Sequence, residues 1–343
     1  MRILSIGSFN GINNTSVHRN WGLQKIGEVD MVNMYEKPIT LWYRIINKLF
    51  NLGLPVSLPD LTDCNKRILE LINVNDYDII WIDKGLLINH KTLSRIKEKI
   101  PNAKIVSYSP DNMALRHNQS QNYLDCVPHY DYIFTTKSYI LEEMKELGAR
   151  KIEFVNNAYE QSFHYPRVVD EFENEKLGGD VGFIGHWEKE RCDSILYLAN
   201  RGIKVKVFGS GKWNEYKNVP NLSICPPLFS EEYSKALTAF KISLCFLRKI
   251  NGDQQTTRTM EIPACGGFML AERTEEHLSL FEEGKEAEYF SSNEELLQKC
   301  LYYLEHEEER KSIAQAGYMR CKTSGYSNEE VVRAMIDKVM NND

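Results

Sequence analysis

Short apolar runs of four to six residues recur along this chain, and a polar turn and a helical pattern separate each from the next. That alternation is the strongest constraint on the fold. Strands that read as unbroken apolar runs are buried on both faces, and intervening helices return the chain so that neighbouring strands run parallel. In the first half, strands are expected at Ile3–Gly7, Met31–Tyr35, Asp78–Asp83, Lys104–Ser109, Tyr132–Thr136 and Glu153–Asn156. Helical patterns lie at Ser16–Ile26, Cys64–Asn73, Lys91–Lys99 and Ser138–Leu147. The last begins on a serine and stops just before Gly148, as a capped helix should.

The stretch Tyr159–Gly179 breaks the rhythm. It is polar, contains Pro166 and ends in two glycines, which reads as a linker over residues 161–179. The alternation then restarts, with strands at Val181–Gly185, Lys204–Phe208, Leu222–Cys225, Ile242–Phe246 and Phe268–Ala271. Helices follow at Lys189–Asn200, Glu231–Phe240, Thr274–Glu282, Glu294–Leu304, Glu307–Thr323 and Asn328–Met340. The fold class is therefore α/β, two Rossmann-like βαβ domains facing a cleft, with C-terminal helices. The N-terminal domain is expected over residues 1–160 and the C-terminal one over 180–325. A final helix over 326–343 leaves a return to the first domain open. The length of 343 residues suits two domains of roughly 100–200 residues each.

The formal net charge of −6 argues against a general nucleic-acid binder, which needs a basic face to displace counterions. It leaves room for a local basic pocket. No apolar run approaches the roughly 20 residues of a membrane span, and the start of the chain lacks the pattern of a signal peptide. Trp42–Leu54, WYRIINKLFNLGL, is basic and aromatic with helical apolar spacing. It reads as a surface or interdomain helix, with peripheral membrane contact as the alternative. The eight cysteines include no C-x-x-C pair and sit mostly among apolar residues, as buried thiols of a reducing cytoplasm would. The scattered histidines make no zinc pattern.

The functional signal concentrates in Arg258–Leu270, RTMEIPACGGFML. It reads as a short helix, a tight turn and a buried strand, with Pro263 keeping the helix short or kinked. Glu261 can accept two hydroxyl hydrogen bonds, as a ribose diol offers. Arg258 can clamp phosphate oxygens through its planar fork. Thr256 or Thr257 can cap that helix and leave backbone N–H groups to face a diphosphate. Asp253 lies eight residues ahead of Glu261. Gly185, Lys189 and Arg191 form a strand end and helix start that either hold a phosphate or make an ordinary turn. Gly209 permits a sharp turn after another strand. The full G-x-G-x-x-G and its later acid are absent, so a nicotinamide site is a poor fit. In the first half Gly7 and Gly11 flank a polar turn that can face a sugar or phosphate. His18 is either an acceptor contact or a helix-surface histidine, and Asp111 is either an acceptor-binding group or base, or a plain turn aspartate. Asp76 and Asp78 match D-x-D but precede their strand, at the wrong end for a metal–diphosphate site.

The run from Arg258 to about Val332 resembles the C-terminal domain of GT-B glycosyltransferases of the retaining, glycogen-synthase-like type, closest to the spore-maturation-protein-like branch. The matching pieces are RTMEIPACGGFMLAE and EEHLSLFEEGKEAEYFSSNEELLQKCLYYLEHEEERKSIAQAGYMR. Phe183–Arg191 and DYIFTTKSYILEEMKELGARKIEFVNNA are similar to further parts of that family. The resemblance implies that Glu261 binds the nucleotide ribose. The family's first acid faces the donor sugar, and this chain has the shorter Asp253 there. It further implies sugar transfer from a nucleotide-sugar to a hydroxyl on a glycan, lipid-linked or protein acceptor. No metal or other cofactor is expected, nor is a nucleic-acid partner. The expected setting is bacterial surface polysaccharide or glycoconjugate synthesis, in the cytoplasm or at the inner membrane face. A sugar-nucleotide epimerase of the same fold and a non-catalytic nucleotide-sugar-binding partner are the alternatives.

Overall fold

The computed structural model describes residues 1–35 and 40–341. The chain divides into two compact units, Met1–Asn156 joined by the segment from Asn328 onward, and Asn157–Ser327. The first unit runs β1 (Arg2–Gly7), α1 (Thr15–Gln24), β2 (Glu28–Asn33), α2 (Leu41–Asn51), α3 (Cys64–Val74), β3 (Ile79–Asp83), α4 (His90–Lys99), β4 (Lys104–Ser109), α5 (Gln121–Cys126), β5 (Tyr132–Thr135), α6 (Leu141–Glu146) and β6 (Ile152–Phe154). The second runs α7 (Glu171–Leu177), β7 (Gly179–Ile184), α8 (Lys189–Ala199), β8 (Val205–Phe208), β9 (Leu222–Cys225), α9 (Glu231–Ala239), β10 (Phe240–Cys245), α10 (Thr257–Ala264), β11 (Met269–Glu272), α11 (Glu275–Leu280), β12 (Glu288–Phe290), α12 (Asn293–Glu305) and α13 (Glu307–Thr323). The chain then returns to the first unit as α14 (Asn328–Asn341).

Each unit holds a six-stranded parallel sheet. The first has the order β2-β1-β3-β4-β5-β6. The second has the order β12-β11-β10-β7-β8-β9. In such sheets ligands bind outside the carboxyl ends of the strands where the winding direction reverses. That point lies between β1 and β3 in the first unit, and between β7 and β10 in the second.

Alternate residues of one strand feed separate cores. Leu4, Ile6, Ile80 and Ile82 pack on one side of the first sheet, and Ile3, Ile79 and Trp81 on the other. The second side is closed by α14, whose Val332, Met335, Ile336 and Val339 recur at helical spacing. The second sheet is covered on both faces in the same way.

Several expectations shift. The second strand lies at Glu28–Asn33 rather than Met31–Tyr35, because only Val32 in it is fully buried and the apolar signal is faint. Residues 161–179 are not a linker. They belong to the second unit and contain α7, which Asp170 caps by accepting from the Glu173 amide at 2.8 Å. The stretch looks polar because it lies on the surface, with Phe163, His164 and Leu177 as its buried anchors. All eight cysteines are free, seven of them buried. Among the described residues no helix is long and apolar enough to cross a membrane.

Candidate functional site

In the second unit the β7 and β10 ends meet the N-terminus of α10. The β10 end continues through Leu247 to Thr256, and its course is pinned from several sides. The Gln255 side-chain oxygen accepts from the Asn157 amide at 2.9 Å, and its nitrogen donates to Glu276 at 2.9 Å. The Thr274 hydroxyl donates to the Gln254 carbonyl at 2.7 Å. Asp253 is buried in this loop, and its amide donates to the Arg248 carbonyl at 3.2 Å.

Thr256 caps α10. Its amide donates to the Thr259 hydroxyl at 3.1 Å. That hydroxyl meets Nε2 of the fully buried His277 at 2.9 Å, while Nδ1 of His277 meets the Glu272 carbonyl at 2.6 Å. A carbonyl only accepts, so Nδ1 carries the proton and Nε2 accepts from Thr259. Burial pushes the His277 pKa down to about 4, in keeping with that neutral tautomer. The first two helical amides, those of Thr257 and Arg258, have no partner among the described residues. Pro263 lies near the end of the helix, which spans only eight residues. Cys265-Gly266-Gly267 closes it as a Schellman turn. Gly266 donates to Pro263 at 2.8 Å and Gly267 to Ile262 at 3.0 Å, with Gly266 at φ +72°.

Glu261 lies one turn into α10 and is buried. The Tyr233 hydroxyl, from α9, donates to its Oε2. Burial, and then the Glu261 charge, push the Tyr233 phenol well above its ordinary pKa, so it remains a donor. His164 approaches the other oxygen, with Nε2 3.7 Å from Oε1. Its Nδ1 accepts from the Glu160 amide at 3.0 Å, which leaves the proton on Nε2, facing the carboxylate. Burial, with help from Arg167, lowers the His164 pKa to about 3, so the ring is neutral. A carboxylate has about four acceptor positions, and this one keeps capacity for a further hydroxyl.

Arg258 is half-buried, and its buried Nε has no hydrogen-bond partner among the described residues. Burial opposes its charge, but Tyr233, Glu261, Cys245 and Glu188 together outweigh this and its pKa stands raised. Arg191, in the first turn of α8, is buried and fastens two strand ends together. Its Nη1 donates to the His186 carbonyl and its Nε to the Leu247 carbonyl, both at 3.3 Å. Its pKa is pushed down by burial and by the positive Arg258 and Arg248, against Glu188. Three guanidinium groups thus share one end of the sheet, with Glu188 accepting from Arg248 at 2.9 Å. Gly185 and Gly209 meet here too. A Cβ on Gly209 would fall 2.3 Å from the Gly185 carbonyl oxygen, so only glycine fits that crossing. Lys189 is exposed and pairs with Asp193 at 2.5 Å on the outer face of α8.

The first unit presents a different set. At its switch point Arg19 is buried against Asp83, with Nε–Oδ2 at 2.6 Å and Nη2–Oδ1 at 2.9 Å. Ser16 donates to the same carboxylate at 2.9 Å, and the guanidinium stacks 4.3 Å from the Tyr108 ring centroid. Asp111 pairs with Lys84 at 2.5 Å, and Lys84 has a left-handed backbone, φ +64°. Gly11 turns the first loop at φ +76° with open space around it. His18 is buried, which rules out the helix-surface alternative. Its Nε2 donates to the Ile12 carbonyl at 2.5 Å and holds the same loop down. Asp78, at the start of β3, accepts from the Arg2 amide at 2.7 Å, on the sheet edge away from these loops.

Residues 191–337 match the profile of a family described as glycosyl transferase-like. Sucrose-phosphate synthase from Thermosynechococcus elongatus is 12% identical, with a TM-score of 0.68 over 100% of this chain and 99% of that one. Anabaena HepE, crystallised with UDP-glucose, is 11% identical, with a TM-score of 0.63 over 99% and 100%. An alpha-glucosyltransferase crystallised with UDP and a 13-mer DNA is 14% identical, with a TM-score of 0.64 over 99% of each chain. No curated protein matches the sequence. The chain has the GT-B fold. Its glycosyl transferase-like region begins at Arg191 and contains Asp253, Thr257, Arg258 and Glu261. The second GT-B unit thus brings together Gly185, Gly209, Arg191, Arg258, Thr257, Asp253 and Glu261, and turns Lys189 outward. Tyr233, His164, Thr259 and His277 complete the setting of Glu261 and α10, and sequence reasoning missed all four. Tyr233 and Glu261 are 28 residues apart, and His164 sits in the stretch that reads as linker. Neither pairing leaves a local pattern.

Proposed function

We propose that this protein is a glycosyltransferase that moves a sugar from a nucleotide-sugar donor to a hydroxyl acceptor. Arg258 carries the reading. It offers an unpartnered buried Nε beside two open amides at a helix N-terminus, at the switch point of the glycosyl transferase-like region. A diphosphate supplies the acceptors that this arrangement lacks. In the proposed mechanism Arg258 and the α10 amides stabilise the departing diphosphate. Arg191 holds the two strand ends around it. Glu261, oriented by Tyr233, takes the ribose hydroxyls, and Asp253 orients the sugar or supports its developing positive charge. The family resemblance favours retention of configuration without a metal. The UDP-bound relatives make UDP-sugars the first donors to try. The proposed setting is cytoplasmic synthesis of a surface polysaccharide or glycoconjugate, consistent with the free buried thiols.

A thermal-shift screen of UDP-, GDP-, ADP- and CMP-sugars tests the donor site. Saturation at about 100 times Kd adds about 2.7 kcal/mol of stability, enough to single out the true donor. Arg258→Ala and Glu261→Ala are expected to lose that shift. Arg258→Ala should also slow transfer by about 10²–10³-fold. Wild-type binding and transfer in both variants would sink the assignment. Donor turnover without acceptor would point instead to an epimerase.

A further inference from the structure

Helix α2 carries apolar residues on two opposite faces. Tyr43 and Phe50 are buried, each 8% exposed, and Phe50 joins the core with Ile46 packed against it. On the outward face Leu41 is 76% exposed, Trp42 66% and Ile45 45%, and Leu52 follows just past the helix end at 68%. A helix that packs only against its own domain keeps its outer face polar. This one borders an exposed apolar stripe with positive charge. Arg44 and Lys48 are exposed along its edge, and the exposed Arg116 lies against the turn at Gly53. The sequence from Lys37 to Pro59 contains three basic residues and no acid, in a chain whose net charge is −6.

We infer that α2 docks the protein on an anionic phospholipid surface. The apolar stripe would enter the boundary between headgroups and acyl chains, with Trp42 at headgroup level. Arg44, Lys48 and Arg116 meet the lipid phosphates. The charge pattern selects this occupant over a second copy of the chain, since pairing two such faces would set like charges against each other. The first unit would thereby be held at the membrane. A lipid-linked acceptor is the chemistry such docking would serve.

Vesicle flotation of the full chain tests this, with phosphatidylcholine alone against phosphatidylcholine containing phosphatidylglycerol, at about 0.1 M and about 1 M salt. Wild type is expected to float with the anionic vesicles at low salt and to be released at high salt. Tryptophan emission should move to the blue on binding, and Trp42→Phe should remove that shift. Leu41→Ser/Leu52→Ser should abolish flotation. Arg44→Gln/Lys48→Gln should weaken anionic binding about thirtyfold, at roughly a factor of five for each charge. Both double variants change exposed side chains, so melting temperature and donor binding should stay at wild-type values. Wild type that stays with the soluble fraction at low salt overturns the proposal, as do variants that float equally well. A self-associated form that Leu41→Ser/Leu52→Ser dissolves would assign the face to a second copy and overturn it too.

Discussion

At the scale of single residues, Glu261 shows how an environment assigns a role. The sequence supplies a carboxylate about one turn before a Cys-Gly-Gly turn, and that order alone suggests a hydroxyl acceptor. The fold adds the Tyr233 hydroxyl on one oxygen and a neutral His164 near the other, so the carboxylate is oriented before any ligand arrives. Tyr233→Phe removes the donor and leaves the ring. A hydrogen bond to a charged group is worth about 1.5–3 kcal/mol, so binding of the ribonucleotide should weaken by about 10–100-fold. A 2′,3′-dideoxy nucleotide should lose little, because it has no hydroxyls for Glu261 to hold. Calorimetric Kd values for the two nucleotides check this, and equal losses for both would refute the positioning role. His18 teaches the converse. Its place early in a helix said nothing of the Ile12 carbonyl that buries it.

At the scale of elements, α10 was the most legible part of the site. Pro263 and the paired glycines marked a short helix ending in a tight turn, because both act through local backbone geometry. What holds the other end was hidden. Thr259 links the Thr256 amide to His277, which lies 18 residues further on. Thr259→Val keeps the shape and deletes the hydroxyl, so a half-buried amide and a buried imidazole nitrogen lose their partner. We expect about 2 kcal/mol of lost stability, read from urea denaturation, together with weaker donor binding. The supposed linker reflects the same limit at another element. Its polar composition was read correctly, but α7 packs through very few apolar side chains, and a composition signal cannot see them.

At the scale of the whole molecule, the neutral buried histidines give stability a pH dependence. The pKa values of His164 and His277 stand at about 3 and about 4, below the ordinary histidine value. Between those values and about pH 6.5 the unfolded chain binds protons that the folded one does not, so stability rises with pH across this window and falls on acidification. Each contributes up to about 1.4 kcal/mol per pH unit. Both lie in the second unit, so its unfolding transition should move to lower denaturant between pH 7 and pH 5. The double variant His164→Gln/His277→Gln should flatten that slope, and an unchanged slope would count against these assignments.

The sequence by itself determined the class of fold. Apolar runs of strand length alternating with helical patterns leave a doubly covered parallel sheet as the only way to bury both faces, and they do so twice here. It also placed Arg258, Thr257, Glu261 and the glycine turn, the residues proposed to meet a sugar nucleotide, within one short stretch. Only the tertiary structure decided the strand order, and with it the switch points where ligands gather. Strand order depends on contacts between segments far apart in the chain, which leave no local periodicity. For the same reason it alone showed that α14 closes the first sheet, that Arg191 bridges two loops rather than reaching outward, and that Tyr233 and His164 set Glu261 in place.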